Sequence, residues 1–170
     1  MKRQVVAALA LAAIPGGLAA QTTRAMQPLF ESNKQYLIRS AEAMSEANYG
    51  FKPVATVRSF GEIIGHLANE NYLMCAPAVG KANPMASKDY EKVTSKAELV
   101  AALKAALAFC DEAYKLPDAR LNDPVELFGT KGSKMWAITL NLQHNGEHYG
   151  NLVTYMRIKG MVPPSSQGGL

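Results

Sequence analysis

Four stretches of this chain place apolar residues at helical spacing, and they limit the fold more than any other feature. The first runs from Thr22 to about Ser45, with Met26, Leu29, Phe30, Leu37, Ala41 and Met44 on one stripe. The second begins at Ser59, where Ser59 and Glu62 spell a capping box, and carries Phe60, Ile63, Ile64, Leu67 and Met74 to about Gly80. The third opens with Ser95 and Glu98 in the same pattern. It continues through Leu99, Leu103, Leu107, Cys110 and Tyr114 until Pro117 stops it. The fourth spans Ser133 to Lys159, with Gly160 as its end signal and Pro163-Pro164 preventing continuation. Between the third and fourth, turn residues surround Val125 to Phe128, which predicts a short strand or turn. The reading is an all-α four-helix bundle over residues 21–164, with a loose tail at 165–170.

The connection at 81–94 is long for neighbouring antiparallel helices. About fourteen extended residues reach ~45 Å, more than the ~30 Å length of a twenty-residue helix. The connection can therefore cross the bundle and leave the second and third helices parallel, in an up-down-down-up topology.

The first 20 residues read as a signal peptide: Lys2 and Arg3, an apolar run from Val5 to Ile14, a Pro-Gly-Gly break, then Leu18-Ala19-Ala20. The run is too short to span a membrane, and no cysteine follows it for a lipid anchor. The expected product is periplasmic or secreted, without stable membrane insertion. The formal net charge is +4, of which Lys2 and Arg3 supply two. Nothing in that balance, nor any basic cluster interleaved with aromatics, argues for nucleic acid.

The chain has only 3 histidines. His144 and His148 lie four apart on the fourth helix, so both rings leave one face, one turn apart. That is the spacing of a two-histidine metal clamp, and His66 on the second helix is a natural third ligand. Three imidazoles suit zinc, nickel, iron or copper, and they leave a coordination position open, which is the catalytic pattern for zinc. Such a metal can acidify a bound water or thiol. Glu62, Asn69, Glu70 and Asn141 are positioned by helical angle to orient the rings, and Glu70, one turn after His66, is the candidate general base. Glu147 diverges from His148 by ~100° and is not a candidate ligand. Tyr149, Tyr155 and Trp136 either line a pocket or pack the core, and Arg157 either meets an anionic substrate or stays on the surface.

With these residues assembled, the chain resembles the DinB family of four-helix bundles. The resemblance rests on Gly65-His66-Leu67-Ala68-Asn69-Glu70, on His144-Asn145-Gly146-Glu147-His148-Tyr149-Gly150-Asn151, and on Tyr155-Met156-Arg157 with Gly160-Met161-Val162-Pro163-Pro164. It covers residues 22–164. The chain has Asn151 where the family commonly has Gln. The resemblance implies a divalent ion, zinc or nickel, on His66, His144 and His148. It also implies a small-molecule substrate such as a thiol, transferase- or hydrolase-like chemistry, and homodimers through a bundle face. The export signal separates this chain from a cytosolic thiol cosubstrate. Two other functions fit the same helices: a non-catalytic metal- or ligand-binding bundle, and an interaction module needing no metal.

The sequence leaves the pairing of its two cysteines, Cys75 and Cys110, open. Parallel helices would bring them to similar heights, and an exported chain permits a disulfide. However, Cys75 points ~180° from His66, and Cys110 sits on an apolar stripe where a free thiol packs well.

Overall fold

The computed structural model describes residues 22–168, so the expected signal peptide at 1–20 lies outside the described residues. Four helices form the body: α1 (Thr22–Ala43), α2 (Phe60–Val79), α3 (Lys96–Cys110) and α4 (Lys134–Ile158). The α2 capping box forms as read, with Ser59 Oγ accepting from Glu62 N (3.2 Å) and the Glu62 carboxylate accepting from Ser59 N (2.6 Å). At α3 only half of it forms. Ser95 Oγ accepts from Glu98 N, but the Glu98 carboxylate turns to Lys88.

Helix α3 is shorter than its apolar stripe, because the chain tightens into a 3-10 turn at Ala113–Lys115. Tyr114 stays buried there, stacked on Phe30 of α1 with ring centroids 3.9 Å apart. The irregular segment before α4 contains an antiparallel hairpin of β1 (Pro124–Leu127) and β2 (Thr130–Ser133). Its two turn residues, Phe128 and Gly129, both take positive φ (52° and 70°), the geometry that matches the twist of paired strands.

Side-chain contacts fix the helix directions. Gly61 near the start of α2 faces Leu99 near the start of α3, and Cys75 and Cys110 meet near their ends, so these helices are parallel. Helix α1 runs against α3, with Lys34 on Asp111 and Glu42 on Lys104. It runs with α4, where Tyr36 stacks on Tyr149 and Asn33 Nδ2 donates to Leu142 O. The bundle is up-down-down-up, and the 81–94 connection makes the crossing. No helix among the described residues is long and apolar enough to cross a membrane.

Cys75 and Cys110 are joined in a disulfide with Cα atoms 5.4 Å apart, both fully buried. The expectation that Cys75 points away from His66 holds: one face of α2 looks at α3 through Cys75 and the other at α4 through His66. The tail is less loose than expected. Pro164–Ser166 forms a 3-10 turn, Tyr149 Oη donates to Ser165 Oγ (2.8 Å), and Arg39 Nη2 donates to Gln167 Oε1 (2.7 Å).

Candidate metal centre

The three histidines meet between α2 and α4. His66 Nε2 and His148 Nε2 each lie 3.1 Å from His144 Nε2, and one ligand atom from each ring falls within 4.8 Å of the others. Antiparallel packing of α2 on α4 brings His66 to the turn that separates His144 from His148. His148 is buried and the other two are half-buried.

Burial, reinforced by the charges of His148 and His66, pushes the His144 imidazole down to about 3. Burial and the His66 charge take His148 to about 4. Both rings are neutral at neutral pH, so their nitrogens offer lone pairs. Three Nε2 atoms facing each other at these separations need a shared proton or a cation between them, and this donor set fits a metal ion that accepts imidazole ligands.

The outer nitrogens show how the rings are aimed. His66 Nδ1 donates to Glu91 Oε1 at 2.7 Å, which leaves Nε2 bare. Asn151 Nδ2 lies 3.2 Å from His148 Nδ1. For Nε2 to be free the amide has to turn over and bring its oxygen to that nitrogen, because a ligating imidazole carries its proton on the other atom. His144 Nδ1 is buried without a hydrogen-bond partner.

Of the four residues expected to orient the rings, none bonds a histidine. Glu62 is committed to Ser59 and Lys52. Asn69 Nδ2 donates to Asp89 Oδ1, and Asn69 Oδ1 accepts from Tyr90 N, so it holds the 89–92 turn. Glu70 is half-buried and makes no hydrogen bond among the described residues. Burial raises its carboxyl above the usual range, with the His66 charge opposing. Asn141 sits deeper, in a fully buried network with Asn71 and Asn145. There Asn141 Nδ2 and Asn145 Nδ2 both donate to Asn71 Oδ1 (2.9 and 3.1 Å), and Asn71 Nδ2 donates to Asn145 Oδ1 (2.9 Å). Tyr114 Oη adds a bond to Asn141 Oδ1 at 2.8 Å. This network ties α2 to α4 one turn beyond the histidines and sets their register.

Glu91 belongs to the crossing connection, in a 3-10 turn at Tyr90–Lys92. The turn approaches α2 so closely because residue 65 is glycine: a Cβ there would clash with the Tyr90 carbonyl and lie 2.8 Å from Glu91 N. Helical periodicity does not reveal Glu91, which lies on none of the four α-helices; the Gly65 beside His66 is the available signal.

A cavity of about 630 Å³ opens beside His148, lined by Pro53, Val57, Arg58, Glu147, Asn151 and Tyr155 among others. Tyr155 is the only one of the three singled-out aromatics on it. Tyr149 packs on Tyr36, and Trp136 lies against Gly132 in the hairpin. Arg157 is far from this role and donates to Ser166 Oγ.

Residues 29–152 match the DinB superfamily model. The chain is 26% identical over 133 residues to the uncharacterized protein YjoA of Bacillus subtilis (strain 168), covering 77% of this chain and 86% of that one. The crystal structure of that DinB-like protein superposes with a TM-score of 0.66 at 25% identity, over 85% of this chain and 99% of the other. A DinB-like protein from Bacillus cereus ATCC 10987 superposes with a TM-score of 0.74 at 16% identity, over 89% and 99% of the two chains, a likeness of fold.

Proposed function

Because the chain belongs to the DinB superfamily, we propose that it binds one divalent metal ion, zinc or nickel, through His66, His144 and His148. We further propose that it uses the ion to activate a thiol or water against a small-molecule substrate. The observation that carries this reading is the convergence of three Nε2 atoms from two helices. A bound ion of this kind supplies Lewis acidity, lowering the pKa of a thiol or water at its open position.

The chain's own residues do the rest. Glu91 keeps the His66 proton on Nδ1, and Asn151 does the same for His148 once its amide turns over to present its oxygen. The Asn71–Asn141–Asn145 network holds the two ligand helices at fixed register. Glu70, a carboxylate no hydrogen bond engages, is our candidate base, with its affinity for a proton raised by burial. The cavity at His148 admits a substrate of small-molecule size. The buried disulfide supports an exported, oxidising location, in keeping with the signal-like first 20 residues.

Metal content of the purified protein tests the reading, measured beside the His66→Ala/His144→Ala double variant. About one zinc or nickel per chain, lost in the variant, is the expected result. A chain that takes up neither ion when both are supplied would exclude it.

A further inference from the structure

The cavity beside His148 contains a cation that the metal reading does not require. Arg58 lies on the loop before α2, with its side chain 44% exposed, and lines the cavity together with His148. It is held from two sides. Its backbone carbonyl accepts from Tyr155 Oη of α4 at 2.6 Å, and its Nε donates to Glu91 Oε2 at 2.9 Å. The other oxygen of that carboxylate takes the His66 Nδ1 proton, so one carboxylate fixes both the guanidinium and a candidate ligand ring.

An ordinary surface ion pair would leave both long side chains loosely held and contribute little. Here the two anchors fix the arginine, yet they use only one of its five N–H donors. Among the described residues, neither Nη group makes a hydrogen bond. A guanidinium with a free Nη edge is shaped for bidentate capture of a carboxylate. Glu147 lines the same cavity and forms no ion pair among the described residues. A second negative charge on a ligand would meet that carboxylate, so the site favours one anionic group.

We propose that Arg58 is an anion anchor, which binds the single carboxylate of a small-molecule ligand whose other end reaches the His66–His144–His148 centre. The inference rests on the metal reading for that second contact and adds the class of ligand: a monocarboxylate bearing a metal-seeking group. The role considered for Arg157 passes to Arg58.

Two probes that differ only in the charged group test it. The zinc-loaded full chain is titrated calorimetrically with 3-mercaptopropionate and with its neutral amide, 3-mercaptopropionamide, and zinc content is measured in every sample. The acid should bind at least tenfold more tightly than the amide. Arg58→Gln should bring the two within about twofold at saturating zinc, and Arg58→Lys should restore part of the preference. Equal affinities in the zinc-loaded wild type, or a tenfold preference surviving in Arg58→Gln, would overturn the anchor while leaving the metal site standing. If the wild type retains no metal, the metal reading fails on its own. The anchor is then decided on the metal-free chain from the Arg58 Nε–H resonance. A shift with propionate and none with propionamide supports it, and no shift with either refutes it.

Discussion

Replacing Asn71 with leucine tests whether the buried asparagine network sets the alignment of the two histidine-bearing helices. Leucine is close to asparagine in volume, so packing changes little, but both amide functions are lost. Asn145 Nδ2 keeps a bond to Asn141 Oδ1 at 3.2 Å. The Asn141 amide N–H and the Asn145 carbonyl each lose the partner Asn71 provides. All three side chains are 0% exposed, so water cannot replace those bonds. Each orphaned buried group costs ~1–3 kcal/mol, which puts Asn71→Leu at about 4 kcal/mol. That is a large share of a typical ~5–15 kcal/mol of folding stability. The assay is urea unfolding of the metal-free protein, read as a midpoint shift at constant slope. The double variant Asn71→Leu/Asn145→Leu removes one orphan, so it should cost no more than Asn71→Leu alone, a departure from additivity expected of coupled groups. A cost below about 1 kcal/mol for Asn71→Leu, or strictly additive costs, would refute the reasoning.

Three further outcomes follow from features of the same region. Cys75 and Cys110 are separated by 35 residues in sequence. Loop-closure entropy then predicts that Cys75→Ala/Cys110→Ala lowers the unfolding free energy by about 4 kcal/mol, and a loss under 1 kcal/mol in urea titration would contradict it. The depressed histidines make metal-free stability depend on pH. With His144 at about 3 and His148 at about 4, the unfolded chain takes up protons near ~6.5 that the folded chain refuses. That stability is complete above ~6.5 and declines as pH falls toward those values. Moving from pH ~7.5 to ~5 should therefore lower it by on the order of 2 kcal/mol for each ring, ~4 kcal/mol for the two before solvent screening reduces it, and a flat profile of urea midpoints would count against neutral buried rings. Gly65→Ala drives a methyl group into backbone of the 89–92 turn. It should cost ~1–3 kcal/mol and weaken zinc binding in a chelator competition by tenfold or more through displacement of Glu91. Unchanged zinc affinity would show that Glu91 does not aim His66.

Much of this structure is legible in residue order because helices write their own period. Ser59 with Glu62, the stripe from Leu99 to Tyr114 and Gly160 before Pro163 each act locally, and the structure returns each element within a few residues. The histidine trio is legible for the same reason. The four-residue spacing of His144 and His148 already places two rings on one face, and His66 is the only other imidazole in the chain. What escapes is everything decided by tertiary approach. Glu91 acts on His66 from 25 residues away, out of a segment with no period to read. Arg58 gains its place from Tyr155, 97 residues on. Asn141 looks like a ring-orienting residue by helical angle but turns into the core. Asn71 and Asn145 supply the partners there, and helical angle alone does not show which neighbour an amide will choose. Residue order leaves the disulfide undecided because height along parallel helices and direction around α2 are independent. Direction away from His66 proves to be direction toward α3.

The crossing connection has a consequence for how such a protein can vary. In a simple meander of the same helices, the link after α2 would be a tight bend at the bundle's end, remote from His66. The return path here carries a carboxylate back past the middle of α2, where Gly65 leaves room for it. The order in which the chain visits its helices therefore also decides which nitrogen of the His66 ring is left bare. Substitutions within residues 89–92 can change how that ring is aimed without disturbing the packed helices, whereas shortening the link would remove Glu91 and the parallel arrangement together.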